Sequence, residues 1–211
     1  MCAMLGMHYA NRLSDRVGEH GLDAASVGVG SEAAKRAAEM TRSLDSTRGK
    51  DWERWRMLPF DPMRKEHVGA IRPLVEKLRP GCENLVVLGI GGSALGNIAL
   101  QCELNPTTYN LMPNGARPGP RLFVVDNVDP AHLGAVMALV KQSDPKFERT
   151  VFNVISKSGE TAETAAQFML VRHTLIEALG KDRHAARIVA ITDPAKGAMR
   201  KICDANGSVA L

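Results

Sequence analysis

The sequence predicts an α/β protein: a doubly wound parallel sheet with N-terminal helices. Three observations carry that expectation. Short apolar runs rich in Val and Ile recur from Leu85 onward, each followed by a turn and a helical pattern. The first run ends in Gly89-Ile-Gly-Gly-Ser, a glycine-rich turn of the kind that leaves a buried parallel strand and opens a helix. The first fifty residues, by contrast, are polar and Ala-rich and carry no such alternation.

In chain order, Asn11 to His20 and Ser31 to Leu44 read as two helices, with Ser31 and Glu32 at a helix start and Val27 to Gly30 between them. Asp51 to Pro59 is a connector whose Trp52 and Trp55 are expected to anchor by packing. Pro59 and Pro62 stop a helix there. Met63 to Leu78 sets Val68, Ile71, Val75 and Leu78 on one face, so it should cover the sheet, and Pro73 either kinks it or starts it anew. Leu85 to Ile90 is the first strand, and the helix after it repeats Leu95, Ile98, Ala99 and Cys102 at helical spacing.

A Pro- and Gly-rich loop, Asn105 to Pro120, precedes the second strand, Arg121 to Asn127. Asp129-Pro130 opens a helix, the Asp as N-cap and the Pro at its first position, with Leu133, Val136, Met137 and Val140 inward. Thr150 to Ser156 is the third strand. The helix through Thr164, Phe168, Val171, Leu175 and Leu179 follows and ends at Gly180. Arg187 to Asp193 is the fourth strand, Ala195 to Asp204 the fourth helix, and Gly207 to Leu211 the start of a fifth strand. Strand–helix repeats with short turns imply parallel strands joined by right-handed crossovers. Ending on a nascent strand is expected of a piece of a longer protein. The division expected is 1–62 as helical segment and connector, and 63–211 as the α/β domain.

Composition narrows the function classes. With 211 residues, 45% of them hydrophobic, the chain can bury a sizeable core. A formal charge of +4 is spread among acids, and only 4% of residues are aromatic, so neither a basic stripe nor a stacking platform for nucleic acid is present. The four Cys are far apart without a C-x-x-C pair, as expected of reduced thiols. His spacing offers no metal motif, and no stretch reads as a membrane span or signal sequence. The expectation is a cytoplasmic protein with no metal and no nucleic-acid or membrane partner.

Two turns carry the chemistry. After Leu85 to Ile90, free backbone N–H groups and the positive end of a helix dipole make an anion site. Gly89-x-Gly-x-x-Ala94 also fits a loose dinucleotide fingerprint, which needs an acid about 20 positions on. Asp126 lies well beyond that distance, and no Gly-Lys-Ser/Thr follows to make a Walker loop. The second turn, Ser156-Lys-Ser-Gly-Glu-Thr161, offers three hydroxyls beside another helix start. Each charge-assisted hydrogen bond to a phosphate contributes roughly 1.5–3 kcal/mol, and the dipole about 0.3–1 kcal/mol more. Ser158 or Thr161 also suits helix capping, and capping and phosphate binding use the same groups.

Together, Gly89-Ile-Gly-Gly-Ser-Ala-Leu-Gly96, Val154-Ile-Ser-Lys-Ser-Gly-Glu-Thr161 and Thr192-Asp-Pro-Ala-Lys-Gly-Ala-Met199 resemble the glucose-6-phosphate isomerase family of the sugar isomerase (SIS) domain superfamily. The resemblance runs from about residue 50 to the end and implies an SIS, flavodoxin-like sheet. It implies that Ser156, Ser158 and Thr161 bind a sugar phosphate, with the Lys157 backbone N–H nearby and Gly92 and Ser93 lining the same pocket. The activity implied is the interconversion of glucose 6-phosphate and fructose 6-phosphate, in glycolysis and gluconeogenesis. In the family's reaction a carboxylate base moves a proton between C2 and C1 through an enediol, with an Arg stabilising the charge, and the resemblance implies no metal and no cofactor. The family's Gly-Gly-Arg motif and its later Glu, His and Lys have no match here, so no catalytic residue is carried over. Glu160 departs from the family pattern, and Glu163 and His173 are expected on a helix face. A homodimer of the full-length protein is also implied.

Two other functions compete. A non-catalytic SIS sugar-phosphate sensor would need a basic recognition helix, which the first fifty residues lack. A dinucleotide-binding oxidoreductase domain would need the missing acid.

Overall fold

The structure, a computed structural model, describes residues 8–60 and 63–211. The chain divides into two compact units, one up to His67 and one from Val68. In the first, α1 (Ser14–Val17) and α2 (Ala24–Val27) are single turns, and α3 (Glu32–Thr47) is a helix of 16 residues. Ser31 caps α3 by accepting from the Ala34 N–H at 3.1 Å. The helix expected over Asn11 to His20 is instead α1 between two 3-10 turns, folded back so that Leu13 bridges Leu22. Trp52 and Trp55 are 90% and 67% exposed, so they are not the packing anchors expected.

The second unit is built on five parallel strands: β1 (Asn84–Leu88), β2 (Arg121–Val125), β3 (Thr150–Ser156), β4 (Ile188–Thr192) and β5 (Val209–Ala210). Their order across the sheet is β2-β1-β3-β4-β5. The connecting helices are α4 (Met63–Leu78), which enters the unit, then α5 (Gly92–Leu104), α6 (Pro130–Ser143), α7 (Ala162–Leu179) and α8 (Ala198–Asn206). The chain moves from β1 outward to β2, crosses back to β3, and then steps outward on the other side. Right-handed crossovers therefore put α5 on one face and α6, α7 and α8 on the other.

The face under α6, α7 and α8 holds the core. Val86, Leu88, Phe152, Val154, Ile188 and Ala190 point into it from the strands. Leu133, Val136, Val140, Phe168, Val171, Leu175, Met199 and Cys203 meet them from the helices. These helix residues follow the predicted period, because three of the four crossovers share this one apolar slab. The opposite face is less covered. Val68, Ile71 and Val75 of α4 are half-exposed, and a cleft of ≈ 500 Å³ separates Ile71, Leu74 and Leu78 from Leu85, Val151 and Val189 of the sheet. The helix expected to cover the sheet thus leaves a cleft between itself and the strands. Pro73 lies inside a continuous α4 and does not restart it. On α5 the buried residue is Ala94, whereas Leu95, Leu100 and Leu104 point outward, so the inward face differs from the one expected. Among the described residues, no helix is long and apolar enough to cross a membrane.

The amino ends of the strands are tied by buried polar groups. Asn84 Nδ2 donates to Thr150 Oγ1 at 3.1 Å, and Thr150 Oγ1 donates to Asp144 Oδ2 at 2.8 Å. The Asp144 carboxylate also accepts from the backbone N–H groups of Glu148 and Arg149 at 3.0 and 2.8 Å. That loop holds Phe147 at φ 55 with its ring buried beside Phe152. A positive φ at a bulky residue is strained and persists only where its surroundings impose it. Asp144→Ala leaves three donors without an acceptor in a buried place and releases that loop. It should lower unfolding stability by about 2–5 kcal/mol in urea denaturation.

Candidate functional site

In an open α/β sheet, ligands sit outside the carboxyl ends of the strands where the strand order reverses. Here that reversal lies between β1 and β3, whose connections leave in opposite directions. Both chemistry-bearing turns open at this place. Leu88 of β1 pairs with Val154 of β3, so the turn that begins at Gly89 rises beside Ile155 and Ser156, one strand spacing away (about 4.8 Å).

The first turn depends on Gly91. It caps α5 at φ 58, ψ −121, a conformation closed to residues with a Cβ. The Ser93 N–H bonds back to the Ile90 carbonyl at 3.2 Å, and those of Ala94 and Leu95 reach the Gly91 carbonyl. The N–H groups of Gly91 and Gly92 precede these bonds and lie at the positive end of the α5 dipole. Gly92 and Ser93 thus occupy the first turn of α5, Gly92 exposed and Ser93 half-buried.

The second turn is more ordered by its own groups. Ser156 ends β3 with its side chain buried, and its Oγ donates to Thr161 Oγ1 at 3.2 Å. Thr161 is the N-cap residue of α7, yet its side chain makes no capping bond to the helix. The simple capping role therefore does not account for its hydroxyl. Ser158 Oγ accepts from the Glu160 N–H at 3.2 Å, and Gly159 N–H reaches the Ser156 carbonyl at 3.1 Å. Lys157, Ser158 and Glu160 are exposed. Ser156, Ser158 and Thr161 thus share one turn, with the backbone of Lys157 between the two serines. Glu163 and His173 lie outward on α7, His173 with Glu177 at 3.3 Å.

A third segment supports the second turn, and its sequence pattern alone gives it no role. The last residues of β3 and β4, Ser156 and Thr192, are partners in the sheet. Gly159 and Gly197 meet backbone to backbone: a Cβ at Gly197 would sit 2.3 Å from the Ser158 carbonyl oxygen. One at Gly159 would sit 2.9 Å from Thr192 Oγ1, and the Met199 N–H donates to the Gly159 carbonyl at 3.2 Å. Both glycines have positive φ. Asp193 shapes the same segment. Its carboxylate accepts from the N–H groups of Ala195 and Lys196, both at 2.9 Å, and these bonds hold its pKa below the usual carboxylate range. The signal available in the sequence is Asp193-Pro194 followed by Gly197, a turn pattern directly after a strand.

The arrangement offers main-chain N–H groups from two helix starts and three hydroxyls of one turn, at the carboxyl ends of adjacent strands, a set suited to the oxygens of a phosphoryl group.

Comparison with known proteins agrees with this fold. The family model described as phosphoglucose isomerase matches residues 68–206. A glucose-6-phosphate isomerase of Rubrobacter xylanophilus is 42% identical over 151 residues, covering 71% of this chain and 33% of that protein. One of Carboxydothermus hydrogenoformans is 39% identical over 145 residues, 69% of this chain and 30% of the relative. The chain thus spans about a third of the length of these relatives. Among solved structures, a hypothetical protein of Thermus thermophilus superposes with a TM-score of 0.63 at 31% identity, over 85% of this chain and 40% of that one. The matched residues carry four of the five strands and all three loops at the carboxyl ends of β1, β3 and β4; the chain belongs to the phosphoglucose isomerase family.

Proposed function

We propose that this chain supplies the phosphate-binding part of an aldose–ketose isomerase that interconverts glucose 6-phosphate and fructose 6-phosphate. One observation carries the reading: two turns that open helices leave adjacent strands, β1 and β3, at the reversal of strand order. Family membership supports the substrate class, since the relatives are glucose-6-phosphate isomerases. In this reading the phosphoryl group lies between the turns. Ser156, Ser158 and Thr161 donate their hydroxyl hydrogens to its oxygens, the Lys157 and Gly92 N–H groups complete the cage, and Ser93 lines it. Ser156 redirects to the ligand the hydrogen that it now donates to Thr161.

Holding the phosphate fixes the far end of an opened sugar, so that C1 and C2 can be presented to a base. The proton transfer between those carbons needs a carboxylate within hydrogen-bond reach and a cation or donor for the enediolate oxygen. No residue of this chain is assigned either role. The reading also takes the working enzyme to be a cytoplasmic homodimer of a longer chain.

Calorimetry of the 211-residue chain with fructose 6-phosphate should detect weak saturable binding, while a coupled isomerase assay should detect no turnover. Absence of any binding would remove the site, and robust turnover would show that a base lies within these residues. Ser156→Ala should weaken fructose 6-phosphate binding about 10- to 100-fold, from the loss of one charge-assisted bond. Gly197→Ala forces the Ser158–Gly159 backbone aside. It should weaken the same binding at least about tenfold while circular dichroism still reports a folded sheet.

A further inference from the structure

The other end of the sheet holds a second concentration of anion-binding groups. Arg79 follows α4, Glu83 precedes β1, Arg117 lies in the loop before β2, and Arg149 precedes β3. The topology brings them together at the amino ends of three neighbouring strands, around a pocket of ≈ 270 Å³. From the carboxyl-end crevice they are separated by the length of β1, about 16 Å.

The charges here do not cancel. Glu83 is the carboxylate of the pocket lining, and it is already engaged. It pairs with Arg149 at 2.9 Å and accepts from Asn114 Nδ2 at 3.0 Å. Arg79 donates to the Pro118 carbonyl at 3.0 Å, a neutral partner. Arg117 reaches only the Asn114 amide oxygen, at 3.3 Å. Its Nε and Nη1 are buried and have no hydrogen-bond partner among the described residues. A guanidinium removed from water without an anion is costly, and most native structures avoid it. Arg117 also acts on its neighbours. Burial, first, and the nearby Arg117 charge, second, pull the Arg121 pKa down.

Helix and strand ends give a partial structural reason for arginines here, since Arg79 and Arg149 each bond a backbone carbonyl. That reason does not extend to Arg117, which bonds no backbone carbonyl and pairs with no carboxylate among the described residues. Three guanidinium groups and one already paired carboxylate leave the pocket with a net charge of about +2. The pocket is at the small end for ligand sites, which suits an ion better than a sugar.

We propose that this pocket is a second anion site, built by Arg79, Arg117 and Arg149 for a small multivalent oxyanion. Planar guanidinium groups match the paired oxygens of phosphoryl and carboxylate groups alike, so a diphosphate and a tricarboxylate share the required chemistry. The site is independent of the crevice at the carboxyl ends, and its occupant binds without a hexose.

The test is a titration of the full 211-residue chain, with arginine labelled by nitrogen-15, using inorganic pyrophosphate and, separately, citrate. The Nε–Hε resonances of Arg117 and Arg79 should shift and saturate with at least one of the two anions. They should do so equally in a Ser156→Ala/Ser158→Ala variant, which disables the other site. Arg117→Gln should weaken the binding at least about tenfold. Arg79→Gln, at an exposed residue, should weaken it severalfold while circular dichroism reports an unchanged fold, and raising the salt should weaken it further. Saturation by neither anion overturns the proposal. So does binding that vanishes in the serine variant and persists in both arginine variants, because the anion would then lie only between the carboxyl-end turns.

Discussion

The register between β1 and β3 governs the rest of the second unit. It is set at the amino end, where Asn84 faces Thr150 and the two side chains are hydrogen-bonded in a buried place, with Asp144 behind them. A slip by one residue would turn every side chain of β3 to the other face and leave these polar groups unpartnered. Because the pairing is fixed there, the other end is fixed as well, five residue pairs along. The turn after Leu88 and the turn after Ser156 therefore emerge side by side. A polar network that takes no part in chemistry thus determines where the chemistry can occur.

The sheet divides labour between its faces. Three helices seal one face with a continuous apolar core, and that rigidity supports the loops at the carboxyl ends. The second turn is further held from below by the segment after β4, through glycine backbones too close to admit a Cβ. The hydroxyls of Ser156 and Thr161 are consequently presented by a loop whose path is specified on both sides. Preorganised donors of this kind bind an anion without a large ordering cost.

Much of this is legible in the sequence. The strands can be placed within a residue or two, because buried parallel strands read as short β-branched runs bounded by turn residues. The helices of the core face follow from their period, since α6 and α7 pack against a single surface. The two turns stand out because glycine and hydroxyl residues lie directly between a strand and a helix. What is not legible concerns surfaces that periodicity cannot distinguish. The apolar residues of α5 repeat on two overlapping faces, and the buried one is centred on Ala94 and not on Leu95. Trp52 and Trp55 carry the same apolar surface whether packed or exposed, so composition alone misjudges them. Gly197 escapes sequence reading for a different reason: its importance lies in a backbone contact with Ser158, almost forty residues away, that no local pattern records.

The strand order has a consequence for how such a protein comes into being. Asn84 and Thr150 are 66 residues apart in the chain, and β2 with its two crossovers is made between them. During synthesis the glycine turn after β1 therefore exists for some time with no neighbour on its binding side. In the proposed reading the phosphate needs both turns, so affinity of this site for it should arise abruptly, when β3 docks. A ribosome-bound chain released just before Thr150 would carry the more conspicuous of the two motifs and hold nothing with it.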